Sequence, residues 1–227
     1  MSGTFQESKR EQTSFVAPFE RCALQWLARR MPAWVNSDHL TVVGFVAFVG
    51  AGIGYALTTV GPGWLHAVNA CLFLNWFGDS LDGTLARYRN HLRPRYGFYV
   101  DHVTDTAGSL ILVLGLAASP YMSAGVALAL LIAFFMLSIN SYLATHALGT
   151  FKLSFWKFSP TELRLLLAIG NLVLLINPTA TLGGIRFLLY DVGGVIAVVG
   201  MIGMFIASAV SNTVRLYRME PRQGGRV

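Results

Sequence analysis

The chain has 227 residues, of which 54% are hydrophobic and only 12% are charged. That charged fraction is about half the share of a soluble domain, so the composition argues against a soluble protein and favours a single membrane domain. Two cysteines, Cys22 and Cys71, exclude a disulfide-rich scaffold. The net charge of +6 would suit a nucleic-acid partner, but the placement of the basic residues indicates membrane topology instead.

The N-terminal region begins with a polar stretch, and its first apolar run starts too late for a signal peptide. From about Ala17 to Arg30, apolar residues such as Phe19 and Trp26 recur at helical spacing, and Glu20 lies on the other side. This pattern predicts an amphipathic helix on the membrane surface. The alternative is a helix packed on another protein. We assign residues 1–36 to a cytoplasmic tail with this helix, 37–215 to the membrane domain and 216–227 to a second tail.

Six apolar segments follow, and each is long enough, or nearly so, to cross the bilayer. The fold class predicted is therefore an all-α integral membrane protein with six transmembrane helices and an N-terminal interfacial helix. The predicted spans are Leu40–Val60, Trp64–Leu81, Phe98–Ala118, Met122–Thr145, Leu163–Ile176 and Val192–Asn212. The fifth is short, and its ends extend to Thr161 or Ala180 if it crosses fully. Glycines in the first span, among them Gly44 and Gly52, allow close helix packing.

Basic residues cluster on one side of this layout. Sixteen of the 17 Lys and Arg lie before span one, between spans two and three, before span five or after span six, and Arg186 alone lies opposite. By the positive-inside rule, both termini and the loop between spans two and three face the cytoplasm, across the inner membrane if the source is bacterial. The basic residues are thus a topology signal, and we expect no nucleic-acid partner.

Four carboxylates flank the loop between spans two and three. Asp79 and Asp82 are three residues apart, and Asp101 and Asp105 are four apart, so each pair shares one helical face. Residues 88–96, with the nearby Gly97, read as a reversal that brings the two faces to one depth. An acidic group next to a membrane-spanning segment is a functional candidate by default.

Facing carboxylates repel one another unless a cation lies between them. Their hard oxygen ligands suit Mg²⁺ or Mn²⁺, and two such ions about 3.5–4 Å apart are the usual arrangement for displacement at phosphorus. Gly83, Ala86 and Gly97 are small enough for a bulky ligand to approach the backbone. Arg87 suits a phosphate oxygen.

This run resembles the signature of the CDP-alcohol phosphotransferase family, Asp-x2-Asp-Gly-x2-Ala-Arg, a spacer of eight or nine residues, then Gly-x3-Asp-x3-Asp. The matching residues are Asp79, Asp82, Gly83, Ala86, Arg87, Gly97, Asp101 and Asp105. The motif covers 27 residues, and the six-span layout extends the resemblance over most of the chain. The family's Pro-Asn-x-Leu-Thr entry before span one is matched only in part, because the proline is absent while Leu40 and Thr41 are retained.

The resemblance implies a phospholipid-synthesising enzyme with two Mg²⁺ or Mn²⁺ ions. A substituted phosphate passes from a CDP-linked donor to an alcohol, CMP leaves, and Asp105 takes the proton of the acceptor hydroxyl. The implied metal ligands are Asp79, Asp82, Asp101 and Asp105. The implied nucleotide and diphosphate contacts are Asp82, Gly83, Ala86, Arg87, Gly97 and Thr41. Thr41 equally fits a hydrogen bond within its own helix. A homodimer is also implied.

Acceptor-pocket candidates lie near the same side of the membrane. They are Arg93, Asn140, Tyr142, His146 and Glu162. For the polar residues at the end of span four, hydrogen bonds between helices are the competing interpretation. A phosphorylated acceptor needs a basic pocket, which Arg93, Arg95, Lys152 or Lys157 would supply. Ser159 or Thr161 is expected to cap the fifth span.

Two other interpretations remain at this point. A cation- or proton-coupled transporter also places acids in the membrane, but there they track across the bilayer rather than cluster at one end. Structural ion pairs with neighbouring arginines are the third. Within the enzyme class, one branch uses CDP-diacylglycerol and a polar alcohol, and the other uses CDP-choline or CDP-ethanolamine and diacylglycerol. The Asp-His-x-x-Asp form at 101–105 is somewhat like the second branch.

Overall fold

The computed structural model describes residues 17–148 and 160–220. These ranges contain seven helices and one β-hairpin. In chain order they are α1 (Ala17–Arg30), α2 (Ser37–Leu57), α3 (Trp64–Tyr88), α4 (Pro94–Ala118), α5 (Ala124–Leu148), α6 (Pro160–Ile176), β1 (Thr179–Leu182), β2 (Ile185–Leu188) and α7 (Leu189–Met219).

Helix α2 lies at the centre of the bundle because its glycines let two neighbours approach its backbone. A Cβ added at Gly78 of α3 would lie 2.5 Å from the Gly44 nitrogen, and one added at Gly115 of α4 would overlap the Gly52 carbonyl. Side chains larger than hydrogen would force these helices apart. The predicted role of Gly44 and Gly52 in helix packing is therefore confirmed.

Contacts along the helices show their directions. Gly44 lies opposite Gly78 and Gly54 opposite Val68, so α3 runs antiparallel to α2. On the other side Phe48 meets Gly108 and Gly52 meets Gly115, so α4 runs parallel to α2.

The remaining helices continue this alternation. Asn69 bonds to Asn171 and Asn75 to Arg164, so α6 is antiparallel to α3. Helices α5 and α7 are parallel to each other, since Val126 meets Gly194 and Asn140 meets Ser208. The N-termini of α2, α4 and α6 therefore share one end of the bundle with the C-termini of α3, α5 and α7. We refer to this as the acidic end, because it carries the four aspartates.

Four helices are long and apolar enough to cross a membrane, namely α2, α4, α5 and α7. They indicate an integral membrane protein. Helix α6 has 17 residues, or about 25 Å at 1.5 Å per residue, which is close to the thickness of the hydrocarbon core. Crossing by α3 and α6, and hence the count of six spans, stays a prediction that the alternating directions favour.

Helices occupy all six predicted segments, but the predicted reversal at residues 88–96 was too long. The turn between α3 and α4 covers only residues 89–93, with Asn90 at a φ of 55°. Pro94 and Gly97 are already in the first turn of α4, where proline is well tolerated because the first amides need no helical partner. At the start of α2, the Asn36 side chain caps the helix by accepting a hydrogen bond from the His39 backbone amide.

Helix α1 packs on α3, and one of its predicted surface residues is buried. Glu20 is 7% exposed and accepts hydrogen bonds from Trp76 at 2.8 Å, Ser80 at 3.3 Å and Thr161 at 2.7 Å. The prediction that Glu20 lies on the polar outer side was wrong. Its carboxylate can be buried because three donors from α3 and α6 replace its hydrogen bonds to water. Thr161 was predicted as a cap of α6, but it lies inside that helix and its hydroxyl donates to Glu20 instead. Phe19 stays largely exposed, and the interfacial position of α1 remains a prediction.

The β-hairpin departs from the all-α prediction. Gly183 and Gly184 have φ values of 58° and 84°, and they join two four-residue strands in antiparallel register. Two central residues with positive φ are the geometry that a Gly-Gly pair permits in a tight hairpin. The hairpin lies at the end of the bundle opposite the acidic end and carries Arg186.

A neutral polar network ties α2, α3, α6 and α7 together. Asn171 is fully buried, and its Oδ1 accepts hydrogen bonds from Tyr55 at 2.9 Å and Tyr190 at 2.6 Å. Its Nδ2 donates to Asn69 Oδ1 at 2.7 Å, and Asn69 donates to the Ala168 carbonyl. Every polar group of Asn171 thus has a partner, as a buried amide requires.

Candidate active site

Three of the predicted aspartates converge between α3 and α4. Asp79, Asp101 and Asp105 each offer a carboxylate oxygen, and these oxygens lie within 4.8 Å of one another. Because α3 ends where α4 begins, the faces given by the three- and four-residue spacings point at each other. A compact set of carboxylate oxygens is the donor set that Mg²⁺ and Mn²⁺ prefer, so the residues present fit such an ion.

Asp82, the fourth aspartate, lies one helical turn beyond Asp79 and is held by α2. Its Oδ2 accepts a hydrogen bond from the Thr41 hydroxyl at 2.6 Å. The Thr41 oxygen is also 3.1 Å from the Ser37 carbonyl in its own helix. Thr41 is thus within reach of its own helix backbone, as one of the two expectations had it, and its contact with the nucleotide stays a prediction.

A pocket of about 480 Å³ opens beside the aspartates, between the start of α2 and the turn from α3 to α4. Asp82 and Asp101 line it, together with Thr41. Asp79 and Asp105 lie behind them, towards α6 and α5. The volume is within the range of small-molecule sites. The pocket therefore has two carboxylates on its wall and two more at the back.

The other residues predicted for nucleotide binding line the same pocket. They are Gly83, Ala86, Arg87 and Gly97. A Cβ added at Gly97 would meet nothing within 4 Å, and one at Gly83 would meet only the Arg87 guanidinium at 3.8 Å. Protein packing therefore does not require glycine at either position. At both positions the backbone is open to the pocket.

Sequence reasoning missed Arg164, which it treated only as a topology signal. The side chain is 9% exposed, and its Nη2 lies 2.5 Å from Asp79 Oδ2 while its Nε donates to Asn75 Oδ1 at 2.7 Å. An arginine placed one turn inside an otherwise apolar helix was the available signal, because a charge there needs a buried partner. Arg164 is a site residue by position.

His102 of α4 and Tyr142 of α5 contact each other beside the cluster. His102 stacks on Phe98 with ring centroids 4.1 Å apart and contacts Tyr142 at 4.8 Å. Its Nδ1 is 3.5 Å from Asp101 Oδ2. The ring of His102 therefore lies among aromatic side chains at the edge of the cluster. Tyr142 is the acceptor-pocket candidate that lies nearest the cluster.

The remaining acceptor-pocket candidates are spread over the acidic end. Arg93 lines the pocket and pairs with Asp38 across its rim. Asn140 donates to Ser208 of α7 at 2.9 Å, which is the helix-to-helix bond weighed as its competing interpretation. His146 is exposed in the last turn of α5, and Glu162 is half-buried in the first turn of α6. Lys152, Lys157 and Ser159 lie outside the described residues.

Fold and site together define a class of protein: a membrane-embedded helical bundle with a carboxylate cluster beside a pocket whose wall includes two glycines and an arginine. Comparison with protein families agrees. The family model for CDP-alcohol phosphatidyltransferase matches residues 34–210, which is most of the chain. The chain belongs to the CDP-alcohol phosphatidyltransferase family, as its motif predicted.

Membership settles the general chemistry. The family consists of transferases of CDP-alcohol phosphatidyl groups, with a CDP-alcohol donor and an alcohol acceptor in the membrane. The matched range begins before α2 and ends within α7, so it contains all four aspartates and Arg164. The Asp79, Asp101 and Asp105 cluster is where this chain could bind the divalent metal that the family generally uses.

Proposed function

We propose that this protein transfers a substituted phosphate from a CDP-linked donor to an alcohol acceptor, with release of CMP, at the acidic end of the bundle. The observation that carries the proposal is the convergence of Asp79, Asp101 and Asp105 within 4.8 Å beside a pocket of about 480 Å³. Carboxylates alone would repel the donor's diphosphate, so the arrangement makes chemical sense with divalent cations.

The proposed metal ligands are Asp79, Asp82, Asp101 and Asp105. Two Mg²⁺ or Mn²⁺ ions, when bound, would neutralise charge on the diphosphate and on the attacking and leaving oxygens. The protein's part is to hold the ligands in place before the donor arrives. Arg164 fixes Asp79 and Thr41 fixes Asp82, so neither carboxylate needs to reorganise on binding.

The donor's nucleotide and diphosphate are proposed to fill the pocket. Gly83 and Gly97 leave the backbone open to the ligand, and Ala86 adds little bulk. Arg87 lies on the same wall and supplies a charged donor for a phosphate oxygen. Thr41, already in contact with Asp82, completes the side formed by α2.

Asp105 is proposed as the general base. It belongs to the cluster but lies one turn deeper along α4 than Asp101, towards Tyr142 and away from the nucleotide pocket. From there it can accept the proton of the acceptor hydroxyl. The acceptor oxygen then bonds to the β-phosphorus, the phosphoanhydride bond breaks, and its electron pair leaves with CMP. Tyr142, Arg93, His146, Glu162 and Asn140 are the proposed surroundings of the acceptor, with Tyr142 nearest the cluster.

The proposed topology has six spans, with the acidic end and both termini in the cytoplasm. Alternation of α2 to α7 supports an even count. The arginines of the α3–α4 turn and of the end of α7 lie at the acidic end, and Arg186 lies at the other. The positive-inside rule then orients the bundle. Residues 1–36 and 216–227 flank the membrane domain in this proposal. A homodimer remains a prediction.

A transporter is not favoured by the arrangement. A coupled transporter needs ionisable groups along a path through the membrane. Here the described acidic cluster lies at one end, and the polar residues deeper in the bundle form a neutral network that is closed on itself.

The test is CMP release by the purified full-length protein in detergent or vesicles. Two donor classes, CDP-diacylglycerol and CDP-choline or CDP-ethanolamine, are paired with polar alcohols and with diacylglycerol, each with Mg²⁺ and with chelator. We expect metal-dependent CMP release with one donor class, and the product lipid identifies the branch. Ion flux in sealed vesicles without CMP from any pairing would instead support the transporter.

A further inference from the structure

Arg164 is buried against the acidic cluster, and the metal ligands proposed above do not explain it. Its Nη2 lies 2.5 Å from Asp79 Oδ2, on one of the three clustered carboxylates. We propose that Arg164 is the built-in counter-charge of the cluster: it holds Asp79 in place and partly neutralises the three carboxylates when no divalent ion is bound. The inference rests on the proposed metal site.

The position of Arg164 is fixed from two sides. Its Nε donates to Asn75 Oδ1, and the Nδ2 of Asn75 donates in turn to the Gly44 carbonyl at 2.9 Å. Gly44 lies at the close contact between α2 and α3, opposite Gly78. Through Asn75, the guanidinium is thus anchored to the close contact between α2 and α3.

Two neighbouring arginines make other contacts. Arg89 donates to the Met31, Pro32, Ala33 and Val35 carbonyls and so fastens the α1–α2 connection to the end of α3. Arg93 pairs with Asp38 at the pocket rim and stacks on Tyr96. Arg164, by contrast, contacts Asp79 of the three-carboxylate cluster directly.

A fixed positive charge at this place has two opposite effects. It stabilises the metal-free protein, because three carboxylates this close would otherwise repel one another. It also repels an entering divalent cation, and so weakens metal binding. In this proposal the charge of Arg164 outweighs its positioning of Asp79, so by linkage removal of the charge should make the metal bind more tightly and stabilise the protein by a larger amount.

The experiment measures Mn²⁺ binding by electron paramagnetic resonance, and thermal unfolding with and without Mn²⁺, for the full-length protein in detergent. We expect Arg164→Gln to unfold at a lower temperature without metal and to bind Mn²⁺ about tenfold more tightly. A tenfold change in Kd corresponds to about 1.4 kcal/mol, so the Mn²⁺-induced rise in Tm should be about 3–5 °C larger than in the unsubstituted protein.

Thr161→Val is the matched control. Thr161 lies one turn before Arg164 on α6, and its hydroxyl donates to Glu20 rather than to the cluster. Its loss should lower Tm but leave the Mn²⁺ affinity and the Mn²⁺-induced rise unchanged. Arg164→Lys keeps the charge, and its Mn²⁺ Kd should stay within about twofold of the original.

The outcomes separate the two claims. An Arg164→Gln variant that loses stability but binds Mn²⁺ no more tightly than Thr161→Val makes Arg164 purely structural and overturns the inference, as does tighter binding by Arg164→Lys. If Arg164→Gln is not recovered folded in chelator, Mn²⁺ during purification should recover it, and failure in both conditions also overturns the inference. No Mn²⁺ binding by the unsubstituted protein would contradict the proposed metal site itself.

Discussion

The bundle contains two buried polar regions, and they differ in charge balance. Around Asn171, each polar group has a partner within a neutral network of tyrosine hydroxyls and asparagine amides. At the acidic end, three carboxylates lie within 4.8 Å of one another, and Arg164 pairs with Asp79 of this set. The first region consists of neutral groups, and the second brings several negative charges close together.

This difference separates a structural network from a site. A satisfied neutral network stabilises the fold and leaves nothing for a ligand to gain. A carboxylate cluster with excess negative charge costs stability in the free protein and repays that cost when cations bind. Substitutions in the two regions should therefore affect different measurements.

The largest effect is expected for Asp105→Asn. The amide keeps the size of the side chain but cannot take the acceptor's proton, so turnover should fall by at least about a thousandfold. Stability should not fall, because one of three mutually repelling charges is removed. The measurement is CMP release beside thermal unfolding in detergent. Near-normal turnover would remove Asp105 from the role of base.

Two glycines of α4 provide the next comparison. Gly115→Ala pushes a methyl group into the Gly52 carbonyl and should destabilise the protein by about 3 kcal/mol. Gly97→Ala meets nothing in the protein and should leave stability unchanged, but its methyl group occupies ligand space and should weaken CDP-donor binding about tenfold. Thermal unfolding and the donor KM distinguish them. Equal donor affinity in Gly97→Ala and the original protein would place the nucleotide elsewhere.

The smallest effects are expected when one hydroxyl group is removed from each region. The two substitutions make the same chemical change, so their effects can be compared directly. Thr41→Val removes the donor to Asp82 and should lower kcat/KM about tenfold. Tyr55→Phe removes one of two donors to Asn171 and should cost about 1 kcal/mol of stability with turnover unchanged. Steady-state kinetics and thermal unfolding of both variants check this. The comparison fails if Tyr55→Phe lowers turnover as much as Thr41→Val.

Much of this architecture could be predicted from the sequence, because membrane segments and motif spacing are local signals. Helices fill all six predicted segments, and the spacing of the aspartates brought three of them together. The Gly183–Gly184 hairpin was also predictable, since a glycine pair between two short strand-like runs is a strong turn signal. It was overlooked because it is short and lies between two helices.

Long-range polar partners could not be predicted. Glu20 is separated from Thr161 by 141 residues and Arg164 from Asp79 by 85. Composition shows that a buried charge needs a partner but does not identify which helix supplies it. The amphipathic pattern of α1 predicted an exposed Glu20, because the pattern of one helix contains no information about donors on α3 and α6.

The most direct test of the central claim is the number of Mn²⁺ ions bound per chain by the purified protein in the presence of a CDP-linked donor. We expect two ions in the unsubstituted protein, and a loss of at least one in Asp101→Asn, since Asp101 belongs to the cluster and also lines the pocket. No bound Mn²⁺, or the same number in Asp101→Asn, would contradict a metal site shared by α3 and α4.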